Sequence, residues 1–329
     1  MMDFSELGRI SSGFVQSRIL QVAVKLGVFG VIGSGGIFSE EVAKAIDTDP
    51  GATELFLNAL VALKILDKEG RRFYNTESSL EYLVEDSPKY FGDMLLFEEG
   101  LWDMWGKLEE SLQTGKPARP TDMFQNREQE TERFIMAMHA LVKARGDAEI
   151  LSNMLDFTWA ETMIDIGSGP GTYPMKFLQK YPQLKITIFD LPGTLMITRR
   201  VLQKEGMSGK IEIVEGNYNT DEIPKGFDVV FLSNIIHSEG EENNRRLMSK
   251  VYKTLNSGGE VIIKDHILDD TLTSPAVGAI FSVQMLLTTG GRDYSFEEVR
   301  AWLEDAGFEK PEWIKLGPPL TSSLVVCRK

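Results

Sequence analysis

The sequence predicts an α/β protein with a doubly wound, mostly parallel sheet in its C-terminal half and a helical domain in front of it. A chain of 329 residues suits two domains better than one. Helical periodicity dominates up to about residue 157, whereas strand-like apolar runs alternate with helical patterns from Glu161 onward. Such alternation is typical of a parallel sheet covered by helices on both faces. We place the boundary between a domain of residues 1–105 and a domain of residues 106–329.

The composition is that of a globular protein, with 42% hydrophobic and 26% charged residues. Acidic residues number 49 against 35 Lys and Arg, and the net charge of -14 disfavours a broad nucleic-acid surface, which needs cations to neutralise phosphates. The one cysteine, Cys327, permits no internal disulfide and fits a reducing compartment. The first residues lack the features of a signal peptide, and polar residues interrupt the apolar stretch of residues 14–32. We therefore expect a cytoplasmic protein without a membrane span.

The N-terminal residues predict three helices followed by a hairpin. In the first helix, residues 14–29, six apolar residues share one face, and Ser39 is expected to cap the second. Asp49 before a proline is a strong start signal for the third helix, which we extend to about Leu66. Residues 68–75 then have the pattern of a small hairpin. This order of elements describes a winged helix. The six residues of the apolar face are Phe14, Val15, Ile19, Val22, Ala23 and Leu26.

A winged helix often reads DNA, but the helix in the recognition position argues against this function here. Residues 52–66 contain Lys64 as their only basic residue and are apolar nearly all round. A helix of this kind is normally buried against protein on several sides. We therefore predict a protein–protein interface and keep a ligand-sensing DNA-binding regulator as the distant alternative.

The helical pattern continues to residue 157, with a Pro-rich break at residues 116–120 and a long predicted helix over residues 128–151. Phe134 and Met138 lie one helical turn apart on this helix. Flexible methionines and flat aromatic rings suit an aromatic ligand. They are equally at home in a core, and the sequence leaves both alternatives open.

Six strands and five helices are predicted for the α/β domain. The strands are Met163–Ile166, Lys185–Phe189, Ile211–Val214, Asp228–Leu232, Val261–Lys264 and Leu324–Cys327. The helices are Tyr173–Gln179, Gly193–Gln203, Glu241–Leu255, Val277–Leu287 and Phe296–Ala306.

The turn after the first of these strands has the composition of a nucleoside-binding loop. Gly167, Gly169 and Gly171 alternate with other residues, which lets the backbone approach a ligand closely before a helix begins. The spacing is not that of the dinucleotide fingerprint, which places its third glycine after two intervening residues. Asp165 precedes the glycines and Asp190 ends the second strand, where a carboxylate can bind ribose hydroxyls. Two carboxylates suit a cofactor with ammonium and sulfonium charges, so we predict S-adenosylmethionine (SAM) rather than NAD.

Two residues after the third strand are candidates for the adenine site. We expect Asn217 to bond the exocyclic amine and Tyr218 to stack on the ring, with an ordinary strand-to-loop turn as the alternative.

His237 is the candidate for chemistry. It follows the fourth strand and should lie at the carboxyl edge of the sheet, on the cofactor's side. Methyl transfer to oxygen needs the hydroxyl proton removed, and imidazole titrates near neutrality. Asp265, at the end of the fifth strand, could orient it, and Asp293 is a second acid on a nearby loop; packing or capping is the alternative for His237 and a plain turn for Asp293. The histidines show no metal-ligand spacing, so no metal site is predicted.

Four segments together resemble the metal-independent, SAM-dependent O-methyltransferases that include caffeate, flavonoid and acetylserotonin enzymes. The similarity covers nearly the whole chain. The segments are Asp165–Gly171, the Phe189-Asp190-Leu191-Pro192 motif, Leu232–His237 and the Gly290-Gly291-Arg292-Asp293 loop.

The resemblance implies a Rossmann-like class I SAM methyltransferase fold, with S-adenosylhomocysteine (SAH) as the product cofactor. It implies that Leu191 and Ser233 belong to the cofactor site. It also implies that His237 is the catalytic base, assisted by acids at the positions of Asp265 and Asp293. It also implies that Met138 and Met285 line the acceptor pocket with Phe134, on helices at 128–151 and 274–289. The N-terminal winged helix would form a homodimer whose subunits complete each other's acceptor pocket.

Departures from the family pattern leave the acceptor open. Ser238-Glu239 follows the histidine where many members have Asp-Trp, both supporting acids are Asp rather than Glu, and Asn217 replaces a common Asp. The predicted reaction is methylation of a hydroxyl on a small aromatic molecule, with methylation of sulfur, nitrogen or carbon as the alternative.

Overall fold

A computed structural model describes residues 2–125 and 127–329 of the chain. It divides into two compact units. The first comprises Met1–Trp102 and Met136–Ala144, and the second comprises Asp103–Ile135 and Arg145–Lys329.

The first unit is mainly helical and contains a small antiparallel sheet with the strand order β1-β3-β2. Its hairpin, predicted at residues 68–75, pairs Leu66 with Asn75 and Glu69 with Arg72. The sheet has one more strand than this hairpin, because Ile37 pairs with Phe73. The elements are α1 (Phe4–Lys25), α2 (Val28–Ile32), β1 (Ile37–Phe38), α3 (Ser39–Ala45), α4 (Pro50–Ala62), β2 (Leu66–Glu69), β3 (Arg72–Asn75), α5 (Glu77–Tyr82) and α6 (Gly92–Glu99).

Helix α4 begins as the sequence predicts and ends earlier. The Asp49 carboxylate accepts a hydrogen bond from the backbone N–H of Ala52, and proline occupies the first turn. The predicted end at Leu66 is wrong, because Lys64 adopts a left-handed backbone (φ 61°) that turns the chain into β2. The predicted cap at Ser39 is also wrong: Phe38 holds the cap position, and its N–H donates to the Glu41 carboxylate at 3.0 Å.

The apolar face predicted for the first helix is only partly buried. Ala23 is buried, but Phe14 and Val15 are exposed, as is much of Leu26. The helix begins at Phe4, well before the predicted start, after a capping box formed by Asp3 and its partner three residues on. Its N-terminal half therefore presents apolar side chains that this unit does not cover.

The second unit carries the predicted α/β pattern. It begins with α7 (Trp102–Trp105), and α8 (Leu108–Thr114), α9 (Glu128–Arg145) and α10 (Asp147–Met154) follow. The unit boundaries cross α7 and α9, and residues 136–144 of α9 belong to the first unit. Then come β4 (Thr162–Ile166), α11 (Thr172–Lys180), β5 (Lys185–Asp190), α12 (Pro192–Lys204), β6 (Glu212–Glu215), β7 (Phe227–Ser233), a 3-10 turn (Ile236–Ser238), α13 (Glu241–Thr254) and β8 (Leu255–Asp265). The last elements are β9 (Ile267–Leu268), α14 (Ala276–Thr288), β10 (Tyr294–Ser295), α15 (Phe296–Ala306), β11 (Glu309–Lys315) and β12 (Ser323–Arg328).

The main sheet has seven strands in the order β11-β12-β8-β7-β4-β5-β6. The pairs among β8, β7, β4, β5 and β6 are parallel, and β12 and β11 add two antiparallel strands. Chain order reverses at β4, which lies between β5 and β7, so the carboxyl end of β4 is the topological switch point where ligands bind in such sheets. The doubly wound, mostly parallel sheet is confirmed.

Three details of this unit differ from the sequence prediction. The helix predicted over residues 128–151 is broken at Gly146, whose left-handed backbone (φ 75°) starts a separate helix, α10. Strand β11 was not predicted, because Glu309–Lys315 is charged and contains a proline, as edge strands tolerate. Strand β8 begins at Leu255, where a helix end was predicted.

Within residues 2–125 and 127–329, no helix combines the length and the apolar character that crossing a membrane requires.

Candidate active site

The glycine turn follows β4 at the switch point of the sheet. Gly167, Gly169 and Gly171 all have left-handed φ angles, between 58° and 77°, which other residues rarely adopt. A Cβ on Gly167 would lie 2.3 Å from Cδ1 of Ile235, so the turn also needs glycine for space. The chain then enters α11 directly, which places the positive end of the helix dipole beside the glycine turn.

Asp190 closes one side of this turn through backbone hydrogen bonds. The N–H of Gly169 donates to Oδ2 at 2.8 Å and that of Leu191 to Oδ1 at 2.7 Å. Burial raises the pKa of Asp190 to about 6, and these two bonds partly counter that effect. Thr198, which the sequence did not single out, holds the same turn by donating to the Gly169 carbonyl at 2.6 Å.

Asp165 is a buried carboxylate without a cationic partner among the described residues. Neither of its oxygens has a hydrogen bond of good geometry there, and the same holds for the hydroxyl of Ser168 beside it. Burial raises the pKa of Asp165 to about 7, an effect that the nearby Ser168 hydroxyl partly counters. A buried charge without a counter-charge is costly, so this position suits a cationic group supplied by a ligand.

The other predicted cofactor residues lie after β6 and β7. The side-chain oxygen Oδ1 of Asn217 already accepts a hydrogen bond from the backbone N–H of Asn219 at 2.9 Å. An adenine amine would have to share this oxygen. Tyr218 donates to the Glu239 carboxylate at 2.9 Å and packs against the core beneath the glycine turn. Ser233 ends β7, in register with Lys264 of β8.

A short 3-10 turn after β7 positions His237. Asn234 takes a left-handed conformation (φ 58°), which asparagine tolerates, and its N–H donates to the Lys264 carbonyl at 2.7 Å. From α13, the amide of Asn244 donates to the Ile236 carbonyl at 2.9 Å. The Gly290-Gly291-Arg292-Asp293 loop packs against the same 3-10 turn. A Cβ on Gly291 would lie 2.1 Å from the His237 carbonyl oxygen.

His237 and Asp265 form a buried pair. His237 Nδ1 lies 2.6 Å from Asp265 Oδ1, and the same oxygen accepts the backbone N–H of His266 at 2.9 Å. Burial alone would raise the pKa of Asp265, but the adjacent imidazole holds it below its usual value. Because the acid is ionised and can only accept, Nδ1 of His237 carries a proton and Nε2 keeps its lone pair. Burial lowers the pKa of His237, and Asp265 more than offsets that, so the pKa lies above its usual value.

Asp293 forms a cluster with this pair. One ring nitrogen of His237 and one carboxylate oxygen each of Asp265 and Asp293 lie within 4.8 Å of one another. Burial, together with the charge of Asp265, raises the pKa of Asp293 to about 8. The hydroxyl of Ser282 lies 3.3 Å from Asp293 Oδ2 and accepts the Asp293 backbone N–H at 3.0 Å.

The predicted acceptor-lining residues fall in different parts of the chain. Phe134 stacks on Phe124 with ring centroids 4.8 Å apart, and Met285 is buried on α14. Met138 belongs to the first unit. Their role toward an acceptor stays a prediction.

Sequence reasoning missed a buried ionic cluster on the other face of β8. Arg145 makes two hydrogen bonds to the Asp147 carboxylate, at 2.7 and 2.6 Å, and the ammonium of Lys264 lies 3.5 Å from the same group. Lys264 is fully buried and lies over the Tyr173 ring, and burial lowers its pKa to about 8. A lysine inside an apolar strand run was the one signal available, and its partner could not be inferred without the fold.

Family models match both parts of the chain. Residues 113–309 match an O-methyltransferase domain and residues 9–85 an O-methyltransferase dimerisation domain. The chain belongs to the O-methyltransferase family. It is therefore an enzyme, a SAM-dependent methyltransferase, and its N-terminal part is a dimerisation domain.

Individual relatives are similar over nearly the full length. A 3-hydroxy-5-methyl-1-naphthoate 3-O-methyltransferase of Streptomyces sahachiroi is 27% identical, covering 96% of this chain and 92% of the relative. An N,N-dimethyltransferase of Streptomyces rimosus, OxyT, is 26% identical, covering 98% and 95%. The crystal structure of human N-acetylserotonin methyltransferase in complex with SAM is similar with a TM-score of 0.89 and 25% identity, covering 100% of this chain and 98% of that one.

The glycine turn fits the cofactor of this family. Both carboxylate oxygens of Asp165 are buried without a counter-charge among the described residues, and the left-handed glycines 167, 169 and 171 follow it at the switch point of the sheet. This donor set is one for an ammonium and a sulfonium, as in SAM, rather than for a pyrophosphate.

Proposed function

We propose that this enzyme methylates a hydroxyl group on a small aromatic molecule and that His237 is the general base. The observation that carries the proposal is the 2.6 Å contact between His237 Nδ1 and the ionised Asp265. It leaves Nε2 as a proton acceptor beside the carboxyl edge of the sheet. The O-methylating relatives named above, which act on a hydroxynaphthoate and on N-acetylserotonin by their names, support an aromatic acceptor.

This methyl transfer requires two things of the protein: a base for the acceptor hydroxyl and a bound, correctly positioned cofactor. When bound, SAM supplies an electrophilic methyl group on a sulfonium. His237 Nε2 removes the hydroxyl proton of the acceptor while the oxygen forms a bond to the methyl carbon and the carbon–sulfur bond breaks, leaving SAH. Asp265 holds the imidazole and stabilises its protonated form.

We further propose that Asp165 anchors the cofactor's positive charge and that Asp190, with Leu191, positions its ribose. The glycines 167, 169 and 171 supply close backbone contact. Asn217 and Tyr218 border the adenine, and Ser233 borders the methionyl part. Phe134, Met138 and Met285 line the acceptor pocket. The contacts of Asp190 and the unsatisfied Asp165 support these assignments most directly.

A substitution of the base tests the proposal. His237→Ala should bind SAH with unchanged affinity, since His237 is not assigned to the cofactor, but should lose turnover by roughly two to four orders of magnitude, the usual contribution of a general base. Isothermal titration and a coupled SAH-release assay measure the two quantities. Full activity in this variant would remove His237 from the mechanism while leaving the cofactor assignment intact.

Methylation at nitrogen is the second candidate, because OxyT is named as an N,N-dimethyltransferase and is similar over nearly the whole chain. An amine lone pair can attack without prior proton removal, so His237→Ala would then lose little rate. Mass spectrometry of products formed with a deuterated methyl donor separates O-methyl from N-methyl compounds.

We also propose that the enzyme is a homodimer through its N-terminal unit. Phe4, Leu7, Ile10 and Phe14 lie along the N-terminal half of α1, and each is more than half exposed. Four large apolar side chains on one exposed helix indicate a covered surface. Light scattering should give a dimer for the wild type and a monomer for Leu7→Glu/Ile10→Glu. The matched control is Arg9→Glu on the same helix; a monomeric wild type would refute the proposal.

A further inference from the structure

Two buried polar atoms beside the proposed base have no hydrogen-bond partner among residues 2–125 and 127–329. They are Nδ1 of His266 and Oδ1 of Asp293, and they lie 3.8 Å apart. This separation is too long for a hydrogen bond between them. It is short enough for one oxygen atom to lie within hydrogen-bond distance of both.

His266 is held in a neutral form with its ring fixed. Its Nε2 lies 3.1 Å from the Thr321 hydroxyl, which already accepts a hydrogen bond from Arg145 at 2.9 Å. Because Arg145 can only donate, the Thr321 hydrogen remains for Nε2, and this favours a proton on Nδ1. Burial lowers the pKa of His266 to about 4, so the ring stays uncharged at neutral pH.

Asp293, on the other side of this pair of atoms, is also closely packed. Asp293 is buried, and its other oxygen faces Ser282. A Cβ on Gly278 would lie 2.8 Å from Leu268 and 3.3 Å from the Cβ of His266, so α14 closes tightly over this corner. Phe281 on the same helix meets the rings of His237 and His266 edge to face, with centroids 5.1 and 5.0 Å away.

We propose that His266 Nδ1 and Asp293 Oδ1 bind a second oxygen substituent of the acceptor, on the ring carbon adjacent to the hydroxyl that is methylated. The inference rests on the proposed function, because it places the second oxygen relative to His237. One ring nitrogen of His237 and one carboxylate oxygen of Asp293 lie within 4.8 Å of each other, so an acceptor that reaches His237 also comes close to Asp293. The predicted acceptor class is thus a catechol or an ortho-hydroxyaryl ketone rather than an isolated phenol.

The chemistry of the pair sets what it recognises. A neutral N–H donates to either a hydroxyl or a carbonyl oxygen. Asp293, whose pKa is raised to about 8, can accept from a hydroxyl when ionised or donate to a carbonyl when protonated. An acceptor without the second oxygen leaves both buried groups unsatisfied, which disfavours its reaction.

Three naphthalenes test this selectivity with purified enzyme and SAM. The first, 2,3-dihydroxynaphthalene, offers a second hydroxyl, the second, 1-hydroxy-2-acetonaphthone, offers a carbonyl, and 2-naphthol has neither. For the wild type we expect kcat/KM to be at least about tenfold higher for one of the first two than for 2-naphthol, the effect of about one buried hydrogen bond. The preferred compound identifies hydroxyl or carbonyl as the group bound.

Variants assign the selectivity to the pair. His266→Leu and Asp293→Ala should bring the ratio close to one, while His266→Asn, which keeps a donor near Nδ1, should retain part of it. Asp270→Ala, an exposed acid in the same region, is the matched control and should keep the wild-type ratio. Calorimetric binding of SAH checks that each variant is folded.

The outcomes separate this inference from the proposed function. A wild-type ratio near one, or a ratio that survives His266→Leu, overturns the subsite while leaving His237 as base. Loss of activity with EDTA and recovery with Mg²⁺ also overturns it, because the cluster of His237, Asp265 and Asp293 would then hold a metal. Failure to methylate any phenol despite SAH binding counts against the proposed function, and binding of the three probes to the SAH complex then decides the subsite.

Discussion

Replacing Asp165 by asparagine should stabilise the free enzyme while weakening its hold on the cofactor. The side chain keeps its shape and loses its charge. In the wild type both carboxylate oxygens are buried and unsatisfied, and burial raises the pKa from 3.8 to about 7. The folded state therefore holds this proton more tightly than the unfolded chain does.

The sign of the pH effect follows from that difference. The unfolded chain ionises first as the pH rises above about 4, so the free energy of unfolding falls between about pH 4 and pH 7 and then levels off. A shift of about three units corresponds to about 4 kcal/mol, an upper bound. Asparagine removes this penalty but buries an unsatisfied amide at a cost of about 1–3 kcal/mol. A net gain of about 1–3 kcal/mol is expected at pH 8, whereas at pH 4, where no charge penalty is relieved, the variant should be less stable than the wild type by up to about 1–3 kcal/mol.

Urea denaturation of the SAH-free protein at pH 4 and pH 8 measures the gain, and calorimetry measures the loss of affinity. We expect SAH to bind at least about tenfold more weakly to Asp165→Asn, because a buried charge pairing is lost. Asp190→Asn is the matched control: it loses an acceptor for the backbone N–H groups of Gly169 and Leu191 and should be destabilised. A less stable Asp165→Asn at pH 8, or one that binds SAH as well as the wild type, would refute the reasoning.

Three further predictions follow from the charges of the site. SAH affinity should rise with pH up to about 7, as Asp165 ionises, and calorimetry in matched buffers would show a flat profile if Asp165 were not involved. Asp265→Asn should shift the acidic limb of the kcat/KM–pH profile to lower pH, because the carboxylate raises the pKa of His237. A limb at the wild-type pH would show that Asp265 does not set the pKa of the catalytic group. Asp147→Ala should cost about 3–5 kcal/mol of unfolding free energy because it strands the Lys264 charge, whereas Lys264→Met should be close to neutral; equal losses in urea denaturation would contradict this.

Six strands of the α/β unit could be predicted because their signals are local. Each predicted strand is a short apolar run between turn residues, and the start of α15 is marked by Ser295, whose side chain caps the helix. The end of α4 and the break at Gly146 were both missed because of a single left-handed residue. Lys64 and Gly146 each interrupt the backbone at a point where the sequence pattern stays helical on both sides.

The proximity of His237 and Asp265 was predictable, and their surroundings were not. His237 and Asp265 each follow a strand, so the parallel sheet brings them to one edge. His266 was visible beside Asp265, but its approach to Asp293 depends on how α14 and the Gly290-Gly291 loop pack, which no local pattern encodes. The start of α1 at Phe4 was missed, and the periodicity of its apolar residues shows that a face is apolar but not which protein surface covers it.

The central claim, that His237 removes a proton from the acceptor, is tested most directly by acceptors of different acidity. The measurement is kcat/KM of wild type and His237→Ala with 2,3-dihydroxynaphthalene and with a nitrocatechol whose hydroxyl is already ionised at the assay pH. If His237 is the base, the variant loses roughly two to four orders of magnitude with the first and recovers most of that loss with the second. An equal loss with both acceptors would contradict the account.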